Sequence, residues 1–211
     1  MCRPLLLFLL FAPCFCTAQF YLEPLAGYQH LFSPTEKHAL NTGLQAAYSL
    51  EKVEFLLELQ KSWPGGGKTN DSAFTLNSSE PAYISVDKQL NTDIFSVGLG
   101  VRVWIASLGP KDRLNLRGHL AAQFQRTKVS YDKRPDGYVL LNPDKTMTVS
   151  GPSIGAGAEY MHLFNNGRLF AELSFYSPPW GKYDGYPVSF YPLTSMSVNI
   201  GYSFLLSNSK Q

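Results

Sequence analysis

Beyond its first eighteen residues the chain of 211 contains no cysteine, since Cys2, Cys14 and Cys16 all lie before Gln19. That excludes an intrachain disulfide, a thiolate nucleophile and a cysteine-ligated metal site from the remainder. No apolar run after the first eighteen residues is long enough for a membrane-crossing helix. No segment repeats apolar residues with the 3.6-residue period of an amphipathic helix. The formal net charge is only +2, and no basic stripe accompanies it, so nothing points to nucleic acid. No group of His, Asp and Glu has metal-ligand spacing along the chain, so neither a metal nor another cofactor is expected.

What is present begins with MCRPLLLFLLFAPCFCTAQ, where Arg3 is the single charge, an apolar run spans Leu5 to Phe11, and Ala18 supplies a small residue. This is the pattern of an export signal, with cleavage expected after Ala18 and one domain over residues 19–211. The cysteines follow Pro13 and Phe15 rather than small residues, which disfavours lipidation. Without Arg3 the remaining charges are 17 basic against 16 acidic, so no strong attraction to polyanions is implied.

The dominant signal in that domain has period two. Leu40, Thr42, Leu44, Ala46, Tyr48 and Leu50 share one parity, and Asn41, Gly43, Gln45, Ala47 and Ser49 the other. Successive side chains of a strand point to opposite faces, so this stretch is a strand with one apolar and one polar or small face. The pattern recurs from Val53, from Phe95, from Leu114, around Ile154 to Tyr160, from Leu169 and from Met196. A weaker strand from Phe20 to Gln29 brings the expected number to eight. The expected class is all-β.

The connections alternate as strictly as the side chains. Glu51-Lys52, SLGPKD and FNNG make short turns, whereas Leu31–Ala39, Trp63–Thr92, Thr127–Thr146 and Ser177–Pro192 are long. An antiparallel up-and-down meander puts all the long connections at one end. The second of them contains PGGGKTND, which imitates a phosphate-binding loop. That motif needs a glycine where Ser62 stands and a helix directly afterwards, and neither is present. The glycines are expected at a loop tip, with Lys68 and Asp71 as solvated charges.

Eight such strands fit either a water-soluble lipocalin-like barrel or a transmembrane one. Several strands reach the ~9–11 residues of a tilted membrane strand. Their polar parity is rich in Gly, Ala and Ser and carries charges of both signs, Glu54, Glu58, Glu159 and Glu172 against Arg102 and Arg117. A narrow barrel is filled by its own side chains, so these six are expected to pair as a closed interior polar network rather than line a channel. Trp63, Phe124, Tyr131 and Tyr160 near the strand ends are expected as an aromatic girdle. The expected fold is an eight-stranded antiparallel up-and-down transmembrane β-barrel.

With its leader, strand count, loop alternation and last strand SMSVNIGYSF, the chain resembles the small eight-stranded outer-membrane β-barrel proteins typified by the OmpA membrane domain and OmpX. The resemblance covers Phe20 to Leu205. It implies location in the outer membrane of a Gram-negative bacterium and contact with outer-membrane lipid. It also implies recognition by the barrel assembly machinery through Gly201, Tyr202 and Phe204, although LLSNSKQ follows where relatives often end.

Some barrels of this kind modify lipid A, which would require a nucleophile beside a base. His30, His38, His119 and His162 are the histidines, and none stands in the His-x-Ser arrangement of such enzymes. No catalytic residue is expected. The remaining role is a structural, adhesion or surface-binding one, with Trp63, Trp180, Tyr183 and Tyr186 as candidate contacts for a ligand that the residues do not specify.

Overall fold

The computed structural model describes residues 19–32, 37–75, 77, 79, 81–132, 136–140, 146–177, 182–184 and 194–208. The leader therefore lies outside the described residues. Ten strands are described: β1 (Gln19–Leu31), β2 (Lys37–Leu50), β3 (Val53–Phe74), β4 (Tyr83–Ser107), β5 (Asp112–Tyr131), β6 (Val139–Leu140), β7 (Thr146–Phe164), β8 (Gly167–Tyr176), β9 (Lys182–Asp184) and β10 (Ser195–Asn208). Eight of them, all but β6 and β9, pair with their neighbours in an antiparallel ring that closes β10 onto β1. Closure leaves no strand of the ring with an open edge.

The ring has the parity expected of it. Phe55, Leu57 and Leu59 of β3 and Leu99, Val101 and Val103 of β4 point outward and are exposed, while Glu54, Glu58 and Arg102 point inward and are buried. The protein is thus apolar on its outer wall and polar within, the inverse of a water-soluble core. Tight turns close one end, and at Glu51 the backbone takes φ 49°, a left-handed value that a two-residue hairpin demands.

At the other end the structure corrects the expectation of a long second loop. The β3–β4 pairing does not stop near Trp63 but resumes at Gly65↔Thr92 and runs on to Phe74↔Tyr83. Gly65, Gly66, Gly67, Lys68 and Thr69 lie within this ladder, whose last pair is Phe74↔Tyr83. Pairing with β2 ends at Leu40↔Trp63, and the β3–β4 register slips between Ser62 and Gly65. Pro64 has no N–H for a ladder, so a bulge at this point is the natural accommodation. The bulge lets β3 leave the barrel wall while remaining hydrogen-bonded to β4.

Candidate functional site

Inside the barrel, inward parity on six strands delivers acids and bases to one another. Arg102 of β4 is 1% exposed and contacts three carboxylates: Glu54 at 2.5 Å, Glu159 at 2.7 Å and Glu23 at 2.9 Å. Arg117 of β5 reaches Glu58 at 2.5 Å, Glu159 at 3.4 Å and also Glu172. Arg168 of β8 bonds Glu23 at 2.8 Å and also Glu54. The geometry brings together all six residues picked by parity and adds Glu23 and Arg168. Glu23 is the single charge of β1, on the parity opposite Phe20, Leu22 and Tyr28. Arg168 shares the parity of Glu172. Both were readable by the same rule, hidden only by the weakness of β1 and by the nearness of Arg168 to a turn.

Five carboxylates thus face three guanidinium groups, and neutral donors carry part of the difference. Ser203 donates to Glu23 at 2.5 Å, Asn115 to Glu159 at 2.9 Å and Asn199 to Glu172 at 2.9 Å. Above this layer His119 lies flat on the Tyr176 ring, centroids 4.5 Å apart, with its Nδ1 3.5 Å from Glu58. An amide and hydroxyl layer follows, in which Asn41 donates to Asn199 at 3.1 Å, Gln29 to Ser195 at 2.9 Å, and Ser62 to Gln29. The lumen also holds apolar side chains, Leu25, Met161 and Phe170, packed as one cluster.

The short-turn mouth is a hollow of about 440 Å³ that reaches Tyr21 and Arg168. There the guanidinium carbon of Arg168 sits 3.6 Å over the Tyr21 ring. A cavity lined by Glu54, Arg102, Trp104 and Asn115 measures about 10 Å³, at the limit of what one water needs.

The outward end is built differently. β3 and β4 continue past the barrel, β5 pairs with β4 up to Lys88↔Tyr131, and β6 adds to the far end of β3. This ribbon has its own apolar cluster, Leu90, Val129 and Met147, with Tyr131 packed against it. Lys68 and Asp71 were both expected as solvated charges. Lys68 is, with its side chain 72% exposed, while also reaching Asp132 at 3.3 Å, but Asp71 is largely covered and pairs with Lys88 at 3.2 Å. The Tyr131 hydroxyl donates to Asp71 at 2.7 Å. Partial burial pushes the Asp71 carboxyl up, but bonds from Tyr131, the Ser72 N–H and Lys88 outweigh it and hold the group below its ordinary range. At the tip Tyr83 is 69% exposed, Val139 is exposed on the opposite side of Phe74, and Tyr138 donates to the Pro81 carbonyl at 3.0 Å.

The predicted aromatic contacts divide. Trp63 is not on a loop. It is exposed on the barrel wall opposite Leu40, donating to Thr42 at 3.1 Å. Phe124 and Tyr160 are likewise on the outer wall, but Tyr131 belongs to the ribbon cluster rather than to a girdle. Trp180 and Tyr186 lie outside the described residues, and Tyr183 is in β9, which pairs with β7.

The histidines do not assemble a catalytic set among the described residues. His30 and His38 face each other outside the barrel, and His119 is inside. At the short-turn end His162 meets Asp112 at 2.7 Å, and Tyr160 donates to the same oxygen at 2.5 Å. The Tyr160 hydroxyl, followed by His162, draws the Asp112 carboxyl below its ordinary range.

No protein-family model matches this chain, and no curated protein sequence does. Solved structures do. A major outer membrane protein from Thermus thermophilus superposes with a TM-score of 0.56 at 11% identity, over 90% of this chain and 99% of that one. Neisserial surface protein A (NspA) does so with a TM-score of 0.50 at 13% identity, over 88% of this chain and 96% of that one. At such identities the likeness is one of fold: the chain has the closed antiparallel β-barrel fold that these outer-membrane proteins share.

Proposed function

We propose that this chain is a non-enzymatic protein of the outer membrane of a Gram-negative bacterium, in which a closed barrel anchors an outward ribbon that binds a partner at the cell surface. The observation that carries the membrane part is the inversion of burial: Arg102 is 1% exposed while Leu99, three residues before it, is 66% exposed. Outer-membrane lipid is the solvent that makes such a wall stable. The outward apolar parity of β4 from Phe95 to Ile105 spans about 11 residues, within the ~9–11 that a tilted strand needs to cross. The binding part rests on the ribbon, since a paired sheet with its own apolar cluster holds Tyr83, Tyr138 and Val139 in place at its tip. Tyr202 and Phe204 on β10, beside Gly201, are the features that the assembly machinery would read.

Fractionation tests the anchor. The protein should stay with the outer membrane and migrate differently on gels before and after boiling, and a soluble periplasmic barrel would overturn the reading in favour of a lipocalin-like one. The packed lumen should give no stable conductance in planar bilayers, and sustained single-channel steps would make it a pore.

The ribbon is tested by excision. Shortening only Gly65–Pro81 would strip one arm from a paired sheet, so both arms must go, with Gly66–Asn91 replaced by a two-residue turn. The barrel should still fold while attachment of cells to their surface ligand is lost. If lipid A instead differs by an acyl chain with and without the protein, and a substitution at His119 erases the difference, the chain is an enzyme.

A further inference from the structure

The antiparallel register of β1 and β2 sets His30 directly opposite His38. Both rings lie on the outward parity at the long-loop end, with centroids 5.0 Å apart and Nδ1 atoms 3.2 Å apart. Two neutral imidazoles at this distance can share one hydrogen bond. A second arrangement is open to them, in which both Nδ1 lone pairs point at one ion. Imidazole nitrogens bind first-row metals such as zinc at ~2.0–2.1 Å, so a 3.2 Å bite subtends about 100° at the metal. That angle falls between the right angle of a square-planar edge and the wider angle of a tetrahedron.

The rings are also held in place. Tyr28 stacks on His38 with centroids 5.3 Å apart and planes 27° apart. Phe32 meets His30 edge-on at 5.0 Å. Contacts of this sort fix ligand orientation before the ion arrives, which lowers the cost of binding. The pair is exposed, so water can fill the remaining coordination positions.

We propose that His30 and His38 form a two-imidazole site for a divalent transition metal on the outer rim of the barrel. Imidazole suits copper, nickel and zinc, and the general affinity order of such ions puts copper(II) first. The site depends only on the β1–β2 pairing and is independent of what the ribbon binds.

The test is titration of the untagged protein from Gln19 onward, which has no cysteine, in detergent with copper(II) chloride, followed by calorimetry and by electron paramagnetic resonance. One equivalent should bind with a nitrogen signature, more tightly than zinc. H30A and H38A should each weaken binding by about tenfold or more, of the order that perturbing a metal site produces, and the double variant should abolish it. Heat-modifiable migration reports whether each variant folds. H162Q is the control, because His162 beside Asp112 is a second, partly exposed histidine with a ligand-type neighbour. Copper binding that survives the double variant, or that is lost in H162Q instead, would overturn the proposal. So would a wild-type protein that binds no copper, in which the two rings serve only as a hydrogen-bonded pair.

Discussion

The lumen of the barrel and the outward ribbon both hold charges between strands, and they do so under opposite conditions. In the lumen Arg102, itself 1% exposed, serves Glu23, Glu54 and Glu159. In the ribbon Asp71 has Lys88 and Tyr131 and is only partly buried. Attraction between opposite charges weakens as the effective dielectric rises, and so does the penalty for losing a partner. The lumen network is therefore a set of mutual obligations, in which each group is tolerable only because the others are present. The ribbon draws its order mainly from Leu90, Val129 and Met147, and its ion pairs add little.

The largest effect should come from breaking an obligation in the lumen. Arg102→Ala removes the cation shared by three carboxylates, leaving Glu23 and Glu54 to Arg168 and Glu159 to Arg117. It should cost about 3–5 kcal/mol, read as a fall in the urea midpoint of the barrel in detergent. If R102A unfolds at the wild-type midpoint, the network is not what holds the lumen together.

Leu90→Ala should remove about 2–5 kcal/mol of local stability, the usual loss for a buried leucine. Limited proteolysis should then cut the ribbon at much lower protease concentration while the heat-modifiable migration of the barrel stays unchanged. Collapse of both together would mean that ribbon and barrel form one cooperative unit.

A smaller contrast separates the two faces of the wall. A Cβ on Gly155 would run into the His119 ring and the Phe175 carbonyl, whereas one on Gly118 meets nothing within 4 Å. Gly155→Ala should thus lower the melting temperature by an amount equivalent to about 1–3 kcal/mol, and Gly118→Ala should leave it almost unmoved.

The smallest effect concerns Asp71. Its carboxyl is held below the ordinary range in the folded ribbon, so its contribution is fully present above about pH 4, near the value of a free aspartate. That contribution is lost as pH falls through the lower folded value. Protease protection of the ribbon should decline over that acidic interval in the wild type, and Asp71→Asn should start lower and lose the pH dependence. Lys88→Ala should change ribbon stability by less than about 1 kcal/mol.

Side-chain alternation is a local property, so the strands, their two faces and the inward placement of Glu54, Glu58, Arg102, Arg117, Glu159 and Glu172 could all be read from residue types in order. The short turns at Glu51-Lys52, SLGPKD and FNNG were legible for the same reason, because turn residues act over a few positions. Two connections expected to be long are instead shortened by pairing that runs on to Leu31↔Lys37 and Phe74↔Tyr83. Other features depended on partners that are remote along the chain. Gly65 to Gly67 carry no side chains to alternate, so nothing local marks them as a strand. They are one because β4 lies alongside with matching backbone groups.

Asp71 looked solvated because its partner Lys88 arrives from β4. Membership of the lumen was open to the parity rule even for Glu23 and Arg168, but which acid meets which base depends on barrel closure. Residue order alone was enough to specify alternating strands with polar residues on one face, because a side chain's direction follows from its position in its own strand. Register had to wait for the folded barrel. It is register that places His30 opposite His38, since two residues eight apart become neighbours solely through the pairing of β1 with β2.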